Sequence, residues 1–84
     1  MYSSEQVFTA VHEVLEYQCP YQATRLVEAI RDSYRLHAPS DDTARSPEEL
    51  YPLLTAAITL KELLPDEDIH AMMEEVFQVL RGQR

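Results

Sequence analysis

A chain of 84 residues supports one small hydrophobic core and no second domain. Its hydrophobic content of 45% is enough to pack that core. A single glycine, Gly82, against a usual content of about 7%, leaves too few turn formers for a β-sandwich or barrel. Fifteen acidic against seven basic residues give a net charge of −8. That charge repels nucleic-acid phosphates and anionic lipid headgroups, which argues against direct nucleic-acid or membrane binding.

The first predicted helix opens at Ser3. Ser3 and Gln6 have capping-box spacing, and Glu5 suits the positive end of the helix dipole. Val7, Val11, Val14, Leu15 and Gln18 mark one face, with Phe8 beside them and Thr9, His12, Glu13 and Glu16 opposite. The helix is expected to stop near Gln18, because Pro20 pushes Cys19 out of the helical region. Pro20 itself reads as the first residue of a second helix, where its missing N–H is no loss. Ala23, Leu26, Val27, Ile30 and Tyr34 form that helix's apolar stripe, which fades near Leu36 and ends by Pro39.

Residues 38–46 are polar and read as a surface connection. Ser46-Pro47-Glu48-Glu49 is a helix start: a cap, a first-position proline and two acids in the first turn. Pro52 interrupts it, which predicts a short turn over 47–50 and a main third helix from about Pro52 to Leu63. Leu53, Leu54, Ala56, Ala57, Ile58, Leu60, Leu63 and Leu64 nearly encircle that helix. It is therefore expected either at the centre of the fold or against another chain. Pro65 begins the fourth segment, with Asp66, Glu67 and Asp68 in its first turn. Ile69, Met72, Met73, Val76, Phe77 and Leu80 make the cleanest amphipathic stripe in the chain, and Gly82 suits the stop. Short links on either side of the central connection favour antiparallel neighbours. The expected fold is an all-α, four-helix up-and-down bundle over residues 1–84, with the third helix central.

Signals for catalysis or metal binding are sparse. His12-Glu13 shares only two letters with a zinc-protease motif, and Glu67-Asp68-Ile69-His70 is a single copy of a spacing that di-metal bundles use twice. The lone Cys19 has no cation near it in sequence to activate it. The expectation is a non-enzymatic protein with no cofactor and no metal. No apolar run is long enough to span a bilayer, residues 1–6 do not resemble a secretory signal, and one cysteine suits a reducing, cytoplasmic setting.

Charge is the remaining clue. Residues 1–40 carry five acids and three bases, net −2, whereas residues 41–84 carry ten and four, net −6. This pattern suits an inhibitor or immunity-type protein that presents carboxylates to a basic site on a partner protein, such as a nuclease, toxin or nucleic-acid-binding effector. Its size and acidity are like those of small helical inhibitors of bacteria and phages, though no motif carries the analogy. The expected contact residues are Asp41, Asp42, Glu48, Glu49 and Tyr51, with Asp66, Glu67 and Asp68 as a second group at the opposite end of the bundle. The alternative is a self-associating adapter or assembly factor that uses the apolar surface of the third helix. Independently of function, that helix has more apolar circumference than three small neighbours cover, which predicts a homodimer or a monomer capped by a partner.

Overall fold

The computed structural model describes residues 1–38 and 44–82, which form α1 (Ser4–Gln18), α2 (Ala23–His37), α3 (Pro47–Leu60) and α4 (Asp66–Leu80). No strand occurs among the described residues; Tyr2 and Arg45 make an isolated antiparallel bridge with N–H···O distances of 2.8 and 2.9 Å. The expected all-α four-helix bundle is what forms. Each helix packs on two neighbours: α1 on α2 and α4, and α3 on α2 and α4. The pairs α1/α3 and α2/α4 therefore face each other across the core.

The predicted stripes build that core. Val11 and Val14 of α1, Ile30 of α2, Leu54 and Ile58 of α3, and Met72, Met73 and Val76 of α4 are all fully buried. Burying each aliphatic side chain contributes about 1.5–3 kcal/mol before entropy is counted. Phe8 meets Tyr34 edge to face, with ring centroids 5.3 Å apart, and His12 borders a cleft with Thr24 and Val27. These contacts make α1 and α2 antiparallel. The start of α1 lines a second cleft with Val79 and Leu80, and Gln18 Nε2 donates a hydrogen bond to Glu75 Oε2, so α1 and α4 are antiparallel too.

The Ser3 box forms as expected: Ser3 Oγ accepts from the Gln6 N–H at 3.2 Å, and Gln6 Oε1 accepts from the Ser3 N–H at 2.9 Å. Three boundaries differ from the sequence expectation. Pro20 does not start α2; Cys19–Gln22 is a turn closed by the Gln22 N–H on the Cys19 carbonyl at 3.1 Å, and α2 begins at Ala23. Pro52 does not split α3, which runs unbroken from Pro47. The ring is exposed, and the carbonyl it leaves without a helical partner belongs to Glu48, an exposed residue in the first turn, where an unmade helical bond costs least.

Helix α3 also ends early, at Leu60 rather than Leu63. Glu62 adopts φ +51, the Glu62 N–H bonds the Thr59 carbonyl at 3.1 Å, and the Leu63 N–H bonds the Ile58 carbonyl at 3.2 Å. This is a Schellman stop with glutamate in the place glycine usually takes. The expectation of an α3 enclosed on most sides is met only in part, since the helix packs on α2 and α4 alone. Leu54 and Ile58 are buried and Leu53, Leu63 and Leu64 lie half-buried against the core, but Leu60 is 61% exposed.

Candidate functional site

The apolar stripes decide where the acids go. Turning Val7, Val11 and Val14 inward leaves Glu5, Glu13 and Glu16 on the outside of α1. Turning Ile69, Met73 and Val76 inward leaves Asp66, Glu67, Asp68, Glu74 and Glu75 on the outer side of α4. Neither helix contains a lysine or an arginine. Because α1 and α4 are packed neighbours, eight carboxylates lie on two adjoining elements that carry no lysine or arginine, His12 and His70 being their only side chains that can gain a positive charge. On α2, across the core from α4, Arg25, Arg31 and Arg35 outnumber Glu28 and Asp32. Arg31 lies over the Phe8 ring, 5.4 Å from its centroid.

The expected contact residues divide among several roles. Asp41 and Asp42 lie outside the described residues. Glu48 and Glu49 are exposed in the first turn of α3, but Glu49 is committed to the cap: its Oε1 accepts from the Ser46 hydroxyl at 3.2 Å and from the Ser46 N–H at 3.5 Å. Tyr51 is half-buried rather than displayed. Its ring stacks on Phe77 at 6.2 Å between centroids, and its hydroxyl shares a 2.7 Å hydrogen bond with His70 Nδ1. His70 stands one helical turn beyond Asp66, so Tyr51 lies nearer the second acidic group than the expected placement at the opposite end of the bundle, because its ring packs along α4 between His70 and Phe77. Asp66, Glu67 and Asp68 are exposed, and no hydrogen bond or ion pair among the described residues engages their carboxylates.

The acids that the sequence reading passed over are Glu5, Glu13 and Glu16 on α1, with Glu74 and Glu75 on α4. The absence of bases from both segments was a usable signal, but its weight depends on the two helices being neighbours.

Among the described residues no group of three or more histidines, cysteines or carboxylates is placed to hold a metal ion. His12 Nε2 and Glu16 Oε1 are 3.8 Å apart on the surface of α1, and the His70 ring is engaged by Tyr51. Cys19 is half-buried at the end of α1, its N–H bonded to the Leu15 carbonyl at 2.7 Å. No described helix is long and apolar enough to cross a membrane. Comparison with known proteins finds no matching family model, no matching curated protein and no matching solved structure.

Proposed function

We propose that this chain is an acidic protein-binding module of the inhibitor or immunity type. In this reading it offers the outer faces of α1 and α4, with Asp66, Glu67 and Asp68 in the first turn of α4 and Tyr51 of α3 bonded to His70 one turn further on, to a basic surface of a partner protein. A nuclease, a toxin or a nucleic-acid-binding effector has such a surface. The observation that carries the reading is the pairing of two neighbouring helices that hold eight carboxylates and no lysine or arginine. Charges crowded in this way repel one another, and a cationic partner relieves the repulsion on docking. The single, half-buried thiol suits a reducing cytoplasm.

The test is affinity for a partner captured from the native host, measured against salt and against charge. Binding is expected to weaken steeply between low and about 0.5 M salt. It is also expected to weaken by about tenfold or more when Asp66→Asn, Glu67→Gln, Asp68→Asn and Glu74→Gln are combined, with the helical spectrum unchanged. Affinity indifferent to both salt and these changes would remove the reading. A second reading, the self-associating adapter, draws on exposed Leu60 and on Leu36, which is 74% exposed. It requires a salt-insensitive dimer instead.

A further inference from the structure

We propose that the cleft between the first half of α1 and the last turn of α4 receives a basic, helical segment of the partner, with the aliphatic stem of an arginine laid along the cleft floor. The inference rests on the acidic-module reading above and adds to it a separate contact, at the opposite end of α4 from Asp66, Glu67 and Asp68. The cleft has a volume of about 460 Å³. Its floor is apolar, built from buried Ala10 and half-buried Val79 and Leu80.

Most of the polar lining is already in use. Ser3 and Gln6 bond each other in the capping box, and Thr9 Oγ1 donates to the Glu5 carbonyl at 2.9 Å. What remains is the pair of carboxylates on Glu5 and Glu13, both exposed and neither engaged by a hydrogen bond or ion pair among the described residues. Arg81, the residue after Leu80, does not line the cleft.

An apolar floor whose uncommitted side chains are two anions selects the chemistry of its occupant. A neutral apolar group would leave two carboxylates facing a dry surface, and an anion would be repelled. A long side chain with an apolar stem and a cationic head matches both features, because arginine and lysine bury their methylenes while keeping the charge at the rim. Arginine fits better than lysine, since its planar fork binds a carboxylate through two hydrogen bonds. Spacing adds a second constraint. Glu5 and Glu13 stand eight residues apart on one helix, about 12 Å along its axis. Two cations held two helical turns apart on the partner segment would meet both.

The experiment uses the full chain, labelled with nitrogen-15, and an alanine-based helical peptide with arginines seven residues apart. Amide shifts are expected to concentrate at residues 9–13 and 79–81 and to saturate. Glu5→Gln combined with Glu13→Gln is expected to raise the peptide Kd about tenfold, whereas Asp66→Asn, Glu67→Gln and Asp68→Asn together change it by less than about twofold. Moving the arginines to adjacent positions in the peptide is expected to weaken binding as well. Shifts centred on α3 and the first turn of α4, equal weakening by both sets of variants, or no saturable binding would each overturn the cleft. The first two outcomes would leave the acidic module standing, because host-partner affinity and its salt dependence are measured separately.

Discussion

Ser33 lies on the buried side of α2, where its hydroxyl completes the end of another helix. Helix α3 stops at Leu60, and the Lys61 N–H, which would have bonded the Ala57 carbonyl, turns to Thr59 instead. The Ala57 carbonyl is left inside the core, and Ser33 Oγ donates to it at 2.7 Å. A buried acceptor without a donor costs about 1–3 kcal/mol, so Ser33→Ala is expected to lower unfolding free energy by that amount in urea denaturation. An unchanged midpoint would mean that water takes the place of the hydroxyl. Glu62 is the complementary case. It occupies the left-handed region at φ +51, so Glu62→Gly is expected to stabilise the protein by about 0.5–1 kcal/mol. Neither residue was legible beforehand. A serine among apolar neighbours reads as a gap in the stripe, and a glutamate carries no signal for a helix stop.

At the scale of elements, the sequence is most readable where side chains act on their own backbone. The Ser3–Gln6 box, the acids opening α4 and Gly82, which has φ +72, are all local devices, and the structure has them where the residue types required. Proline was harder to place, because its effect depends on what surrounds the carbonyl four residues back. In α3 that carbonyl belongs to Glu48, an exposed residue of the first turn, and the helix continues at a cost rather than breaking. Pro52→Ala is therefore expected to raise stability by about 1 kcal/mol or more, less whatever rigidity proline gives the unfolded chain. Thermal unfolding of the variant measures it. The candidate surface was legible by the same rule. Asp66, Glu67 and Asp68 declare themselves as a local cluster at a helix start. The α1 acids do not, because only the packing order of the helices brings them beside α4.

For the whole molecule, the balance of burial and charge bears on association. Of the apolar α3 and flanking residues that would drive a dimer, only Leu60 is largely exposed, and copies meeting through α1 and α4 would repel. Light scattering across a concentration series is expected to give a mass near 9.7 kDa throughout. A mass twice that would favour the adapter. The same charge acts within one molecule. Screening the α1 and α4 carboxylates with about 0.5 M sodium chloride is expected to add about 1 kcal/mol, a rise of about 4–8 °C in Tm for a chain this size. A flat Tm would show that the carboxylates are too well hydrated to feel one another.

Helices α2 and α4 face each other across the core, one with three arginines against two acids, the other with five acids and no base. The molecule is therefore an electric dipole as well as an anion, with its negative pole on the α4 side. In the field of a cationic body it experiences a torque, and it turns that side forward while the two are still a Debye length apart, about 10 Å at 0.1 M salt. Encounters begin already oriented. The signature is kinetic: added salt slows association while the dissociation rate of the formed complex stays nearly constant.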